Sequence, residues 1–170
     1  VTVGDRSGRS VSNAGDVNGD GFDDLIVSAP SSGSSYVVFG KASGFSATLD
    51  LSSFDGSNGF RLDGVAVGDN SGWSVSNAGD VNGDGFDDVI VGADSDPFGI
   101  SSSYVVFGKA SGFSATMELS SLDGSNGFRL RVAGDNLGRS VSNAGDVNGD
   151  GFDDVIVRTT RITQYSYVSG

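Results

Sequence analysis

Short apolar runs separated by glycine-rich polar stretches dominate the hydrophobic pattern of this chain. Within the first copy of a long internal repeat, the pattern predicts four strands, at residues 9–13, 24–28, 35–39 and 59–63. The second and third strands contain continuous apolar runs, Leu-Ile-Val and Tyr-Val-Val-Phe, rather than alternating apolar and polar residues. Continuous runs are typical of strands with both faces covered, so we expect each sheet to pack between neighbouring sheets.

The whole pattern recurs along the chain, with Asp16, Asp80 and Asp146 at equivalent positions. Residues 35–48 reappear without a change as residues 103–116. A repeat of this length that holds four strands is typical of propeller architectures. We therefore predict an all-β fold, a β-propeller of four-stranded antiparallel blades, with about 2.75 blades in the chain.

The repeat also predicts the domain organisation. We expect one propeller-type domain over residues 1–170, with blade 1 at about 4–67, blade 2 at about 68–133 and a partial blade 3 at about 134–170. In the third copy, Tyr165–Val168 resembles a third strand. The long connection before the outer strand is interpreted as a loop, with a short helical turn around Leu51–Phe54.

One stretch of the repeat is identical in all three copies: Ser10–Asp24, Ser74–Asp88 and Ser140–Asp154. Oxygen-bearing side chains alternate in it, a glycine follows them, and an aspartate closes the series at the ninth position. Calcium takes six to eight oxygen ligands, and a glycine permits the sharp turn that gathers them. The candidate ligands are the alternate side chains, the Phe carbonyl and the closing carboxylate: Asp16, Asn18, Asp20, Phe22, Asp24, Asp80, Asn82, Asp84, Phe86, Asp88, Asp146, Asn148, Asp150, Phe152 and Asp154.

Two other calcium loops begin in the same way and are excluded by their twelfth position. An EF-hand requires a bidentate Glu there and a dockerin-type loop requires an Asp, whereas this chain has Val27, Val91 and Val157. The residues after the loop are β-branched and predict a strand rather than a helix. The alternative to a metal site is a set of Asx turns in a solvated hairpin, in which aspartate side chains bond only to nearby backbone.

The stretch GDVNGDGFDDLIVSAP, residues 15–30, resembles the FG-GAP repeat of integrin α-subunit propellers and of many bacterial surface proteins. The resemblance covers roughly residues 4–157, and it implies calcium bound between the first two strands of each blade, about three ions per chain. The flanks depart from the family pattern, since the Phe of the opening pair is replaced in all three copies. The closing Gly-Ala-Pro reads Ser-Ala-Pro, Gly-Ala-Asp and Arg-Thr-Thr.

Composition and charge narrow the function classes. The net charge of −12 is concentrated in the three loops, and the ten Lys and Arg residues are scattered singly, so a nucleic-acid partner is not expected. No apolar run reaches the length of a membrane span, so membrane insertion is not expected either. The chain contains neither His nor Cys, and no nucleophile–base pair can be named, so we do not expect an enzyme.

These observations favour a calcium-binding propeller module of an extracellular or cell-surface protein, with an adhesion or scaffold role and a protein or glycan ligand. The alternative is a carbohydrate-binding propeller, and a third possibility is the non-catalytic part of a hydrolase. Trp73, the only tryptophan, is interpreted as a packing or surface residue rather than a sugar platform. Arg61 and Arg129 are interpreted as solvated charges on the edge strands.

The incomplete third copy leads to an expectation about assembly. Since the chain opens without Met, we expect a processed or excised piece. Two chains joined head to tail would form a six-bladed ring, in which Val1–Val3 of one chain supplies the outer strand to the last blade of the other. A homo-oligomer is therefore expected.

Overall fold

The computed structural model of the chain describes residues 4–66, 68–94, 100–133 and 137–159. These residues form eleven strands and two short 3-10 turns. None of the helical turns in the described part is long and apolar enough to cross a membrane. The strands are β1 (Val11–Gly15), β2 (Asp24–Ala29), β3 (Ser34–Val38), β4 (Gly59–Asp63), β5 (Ser71–Gly79), β6 (Asp88–Ala93), β7 (Ile100–Val106), β8 (Thr116–Glu118), β9 (Gly127–Ala133), β10 (Ser140–Gly145) and β11 (Asp154–Arg158).

Three sheets follow one another along the chain, and we call them blades 1, 2 and 3. Blade 1 has the strand order β1-β2-β3-β4, blade 2 has the order β5-β6-β7-β9, and the described part of blade 3 is the β10-β11 hairpin. Consecutive strands within each blade are antiparallel. The prediction of an all-β fold with four-stranded antiparallel blades is confirmed. Val1–Val3 and Tyr165–Val168, to which the sequence assigned strands, lie outside the described residues.

The predicted element boundaries agree with the structure most closely at the outer strand. β4 occupies the predicted residues, whereas the first strand begins at Val11 and continues to Gly15. The predicted helical turn is present at Leu51–Ser53, where Asp50 Oδ1 accepts a hydrogen bond from Ser52 N at 2.9 Å. Such a side-chain acceptor is the usual cap of a short helical turn.

The connection of blade 2 differs from the predicted loop because it contains β8. This strand leaves its own blade and pairs in parallel with β4 of blade 1, so blade 1 carries a fifth strand. The interpretation of Arg61 as an edge charge is therefore wrong, since β4 is covered and Arg61 forms an ion pair with Asp63 at 2.6 Å. Arg129, on β9, does lie exposed.

Two apolar cores lie between the blades. Ile26 and Val37 of blade 1 pack in one cluster with Val89 and Val91 of blade 2, and all four are fully buried. Ile90, the residue between those two valines, belongs instead to a cluster with residues of blade 3. Because alternate side chains of a strand point to opposite faces, β6 contributes to both cores, and all six of its residues are buried.

The expectation that the central strands are covered on both faces is correct for blade 2 and for β3 of blade 1, whose five residues are all buried, and it is wrong for β2 of blade 1. In β2, Leu25 is 55% exposed, and in the adjoining strand β1, Val11, which lies opposite Val27, is 64% exposed. Blade 1 has a neighbouring blade on one face only within the described residues, and blade 2 has neighbours on both. A continuous apolar run therefore indicates that a strand can pack between two blades. It does not show that the strand is buried on both faces in every copy of the repeat.

Candidate metal centre

Each acidic loop joins the first two strands of its blade, and we call them loop 1 (residues 16–24), loop 2 (80–88) and loop 3 (146–154). The strand pairing slips by one residue just before every loop, for example between Asn13 and Gly15. Gly15 has a φ of 72°, in the left-handed region that other residues adopt only at a cost. The bulge and this glycine turn the chain out of the strand and into the loop.

Inside loop 1, side-chain oxygens accept hydrogen bonds from the backbone that follows them. Asp16 accepts from Asp20 N at 3.0 Å and from Gly21 N at 2.8 Å, one bond on each carboxylate oxygen. Asn18 Oδ1 also accepts from Asp20 N at 2.9 Å, and Asp20 Oδ1 accepts from Phe22 N at 3.0 Å. The three polar side chains are thereby held on the inner side of one tight turn.

Loops 2 and 3 repeat these contacts. Asp80 accepts from Gly85 N at 2.8 Å, and Asp146 accepts from Gly151 N at 2.9 Å. In loop 3, hydrogen bonds led by that of Gly151 lower the pKa of Asp146. Because the same contacts recur in three positions of the fold, they follow from the loop sequence rather than from its surroundings.

The closing aspartates lie at the base of the loops and bind backbone from two directions. Asp24 is fully buried and accepts hydrogen bonds from Val17 N at 3.0 Å and Gly40 N at 2.7 Å. Burial raises the pKa of Asp24 to about 6; its two backbone donors oppose that rise, while the charges of Asp20 and Asp16 add to it. The carboxylates of loop 1 therefore act on one another through space.

Loop 2 has the same arrangement in a deeper position. Asp88 is fully buried and accepts from Gly108 N at 2.8 Å and Val81 N at 3.0 Å. Burial raises the pKa of Asp88 to about 7, against the effect of these donors. In loop 3, Asp154 accepts from Val147 N at 2.9 Å but is only half-buried.

The structure brings the predicted side-chain donors of each loop together without showing a metal cage. Across the described ranges, no group of three or more acidic side chains is arranged closely enough to hold a metal ion. The hydrogen bonds of Asn18 and Asp20 are those of Asx turns, as the alternative interpretation expects. The ligand set, including the carbonyls of Phe22, Phe86 and Phe152, therefore stays a prediction. Its chemistry fits a hard cation, because every side-chain donor is oxygen and three of the four are carboxylates.

A second aspartate in loops 2 and 3 joins neighbouring blades, a role that the sequence did not predict. Asp87 Oδ2 accepts from Asp16 N at 2.8 Å, and Asp87 N donates to Asp16 O at 3.3 Å. Asp153 bonds Asp80 of the preceding loop in the same way, with both distances at 3.0 Å. We call these contacts the interblade latches. The doubled Asp that ends each loop was the available signal, since only its second member was assigned a role.

The phenylalanines of loops 2 and 3 also contact the preceding loop. A Cβ added at Gly19 would collide with the ring of Phe86, and one added at Gly83 would meet the ring of Phe152. The rings of Phe86 and Phe152 therefore each lie against the backbone of the loop before them. These ring contacts are independent of the predicted role of the two carbonyls as metal ligands.

Trp73 contacts arginines of both other blades. The Arg9 guanidinium is 3.6 Å from the centre of the indole, and that of Arg139 is 5.5 Å from it. Arg139 also pairs with Asp94 of blade 2 at 2.6 Å. Cation–π contacts of this kind connect the equivalent positions of three consecutive blades.

The strand order and the repeated acidic loops define a class, namely proteins built from antiparallel propeller blades with a polar loop after the first strand. The model of the FG-GAP repeat matches this chain at residues 7–44, 71–107 and 137–167, so the chain belongs to the FG-GAP repeat family. It is 31% identical over 152 residues to integrin alpha-4 of Xenopus laevis, an alignment that covers 85% of this chain. The chain spans only 13% of the length of that relative.

Proposed function

We propose that this chain is a calcium-binding propeller module of an extracellular or cell-surface protein, in which calcium has a structural role. The observation that carries the proposal is the threefold recurrence of one oxygen-rich loop with the same internal hydrogen bonds. A loop whose only role was a surface turn would not require three carboxylates in every copy.

Each ion would be held by the donors of one loop: in loop 1, by Asp16, Asn18, Asp20, the Phe22 carbonyl and Asp24. A bound cation would supply the positive charge that offsets the mutual repulsion of the clustered carboxylates. The protein contributes the turn that orients the side chains and the backbone donors that hold Asp24 in place. The latches then connect the ordered loop to the next blade.

Several features support a non-catalytic role in adhesion or as a scaffold. The sequence contains no His and no Cys, which removes the commonest general base and the thiol nucleophile. The similarity to an integrin subunit favours a place at the cell surface. The guanidinium of Arg9 lies over the Trp73 ring, which disfavours that ring as a platform for the carbohydrate-binding alternative.

Thermal unfolding with calcium and with EGTA tests the proposal. A ligand that binds only the folded state stabilises it by about 2.7 kcal/mol per site at a concentration one hundredfold above Kd. We expect a clear rise of the melting temperature in calcium and none in a variant that carries Asp20→Ala, Asp84→Ala and Asp150→Ala together. An unchanged melting temperature for the unmodified chain would contradict the structural role.

The head-to-tail dimer stays a prediction, because the strands that would exchange lie outside the described residues. Sedimentation equilibrium at micromolar concentration measures the mass directly. The ring predicts twice the 17.2 kDa mass of one chain, and a single species at the monomer mass would contradict it.

A further inference from the structure

The outer edge of blade 1 is covered by a segment of blade 2. β8 runs parallel to β4, with Leu62 opposite Met117 and Asp63 opposite Glu118. Arg61 N also donates a hydrogen bond to Ala115 O at 3.0 Å. The segment of residues 113–118, which we call the clasp, thus adds a strand to the neighbouring blade, a mode by which proteins also bind extended peptides.

An aromatic ring anchors the clasp. Phe113 stacks on Phe60 with the ring centres 4.7 Å apart, and it meets Phe39 edge-on at 5.3 Å. Under this cover Phe60 is 1% exposed and Leu62 is fully buried. A Cβ added at Gly56 would collide with the carbonyl of Phe113, so a glycine is needed for the clasp to approach the sheet.

The outer edge of blade 2 has an equivalent groove, lined by Phe107, Phe128 and Leu130. Its side chains are more exposed than those of blade 1. Phe107 and Phe128 meet at 5.9 Å, as Phe39 and Phe60 do at 5.8 Å, but Phe128 and Leu130 are only half-buried. A Cβ added at Gly124, the equivalent of Gly56, meets nothing within 4 Å. Within the described ranges, no strand pairs with the outer side of β9.

The two grooves differ in charge. On β4, Arg61 is paired with Asp63, so the edge is neutral. On β9 the equivalent positions are Arg129 and Arg131, both exposed. A parallel strand in the register of the clasp would place its acidic last residue opposite Arg131. Opposite charges across a strand pair are favourable.

A second segment of the same composition lies exposed on blade 1. Residues 45–50 read Phe-Ser-Ala-Thr-Leu-Asp and differ from the clasp only by Leu for Met and Asp for Glu. Phe45 is 56% exposed and Leu49 is 39% exposed, and the segment belongs to no strand. The pattern Phe-Ser-Ala-Thr-apolar-acid is therefore common to both blade connections, whether or not a groove receives it.

We propose that the outer edge of blade 2 is a groove that accepts the connection of an adjoining FG-GAP blade, as an extended segment of the pattern Phe-Ser-Ala-Thr-apolar-acid. The aromatic ring of the segment fills the space beside Phe107 and Phe128. Its apolar fifth residue packs on Leu130, and its acidic sixth residue pairs with Arg131. The proposal depends on the blade geometry and not on bound calcium.

A synthetic peptide tests the groove directly. The probe is Ser-Gly-Phe-Ser-Ala-Thr-Met-Glu-Leu, the sequence of residues 111–119, labelled with fluorescein and titrated with the whole chain in calcium buffer. We expect saturable binding of one peptide per chain, weakened at least about tenfold by Arg131→Glu, because like charges would then face each other. The matched control is Arg158→Glu, the same charge change at an exposed position of β11, which should leave binding unchanged.

Exchanging the charges of the peptide and of residue 131 distinguishes binding in the groove from attraction by net charge. A peptide with Lys in place of its Glu should bind the Arg131→Glu variant better than it binds the unmodified chain. If Arg131→Glu and Arg158→Glu weaken binding equally, the peptide binds by net charge and the proposal is wrong. A second copy of the chain carries a segment of this pattern at residues 45–50, whose acidic residue is Asp50. If that copy is the donor, Arg131→Glu, Asp50→Lys and excess peptide should each dissociate a dimer, and this result would support the groove.

Crosslinking gives an answer that does not depend on high affinity. The chain has no cysteine, so Arg131→Cys introduces a single thiol, and paired residues of adjacent strands come close enough for a disulfide. In a glutathione redox buffer, a peptide with Cys in place of its Glu should crosslink faster than one with Cys in place of its second Ser. Equal rates for the two peptides, or no crosslink with either, would overturn the proposal.

Discussion

Loops 1 and 3 have identical sequences and share the four backbone-to-side-chain hydrogen bonds of the turn, but they lie in different surroundings. Val17 of loop 1 is fully buried, whereas the equivalent Val147 of loop 3 is 74% exposed. Loop 1 is covered by blade 2, through the latch of Asp87 and a hydrogen bond from Lys109 N to Val17 O at 2.9 Å. The comparison teaches that the sequence of a loop determines its turn, and the following blade determines its burial. A loop together with its latch is therefore the unit whose stability should be measured.

The largest difference between the two loops is expected for a methyl group added at the bulge glycine. Gly15→Ala should lower the free energy of unfolding by about 3 kcal/mol, since a left-handed residue with a side chain costs about 1–2 kcal/mol and the methyl displaces the latch. Gly145→Ala has a similar φ, 67° against 72°, but open space around the new methyl, so only the backbone cost applies. Urea unfolding followed by Trp73 fluorescence measures both. Equal losses would mean that the latch does not constrain loop 1.

A smaller difference is expected for the buried valine. Val17→Ala should cost about 2 kcal/mol, because it removes two methyl groups from the core between the blades. Val147→Ala, at the equivalent exposed position, should stay within about 0.5 kcal/mol of the unmodified chain. The same urea titration provides the measurement. A cost at Val147 that matched the cost at Val17 would show that loop 3 is buried in solution.

The smallest of the three differences concerns the latch itself. Asp87→Ala removes the acceptor of Asp16 N and should cost about 1 kcal/mol. Asp23→Ala changes the equivalent residue of blade 1, whose carboxylate accepts only an exposed hydrogen bond from Asn13 at 3.1 Å among the contacts described, and should cost less. Hydrogen exchange of the Asp16 amide gives a local readout: its protection should fall in Asp87→Ala and persist in Asp23→Ala. Unchanged protection in both variants would contradict the latch.

The sequence predicted the parts of the structure that depend on neighbours in the chain. The repeat predicted the four-stranded blade, and the strand pattern placed β2 and β3 with small errors at their ends and β4 without error. The turn of each loop was also predictable, because it depends on Asp and Gly at fixed spacing.

What the sequence could not predict depends on contacts between blades. Residues 45–48 and 113–116 are identical, yet only the second copy contributes to a strand, since only there does an outer strand of another blade lie beside it. Asp23 and Asp87 are likewise the same residue of the repeat, and the presence of a preceding loop decides which of them forms a latch. Identity of sequence cannot distinguish such positions, because the difference lies outside the repeat.

Calcium binding measured site by site tests the account most directly. Calcium titration by isothermal calorimetry, with native mass spectrometry to count the ions, should show three ions per chain, two bound more tightly than the third. Asp20→Ala and Asp84→Ala should each remove one of the tight sites, which lie in the loops bound by the latch aspartate of the following blade. Asp150→Ala should remove the weak site. Three sites of equal affinity would contradict the claim that the following blade completes the loop, and no bound calcium would contradict the metal centre itself.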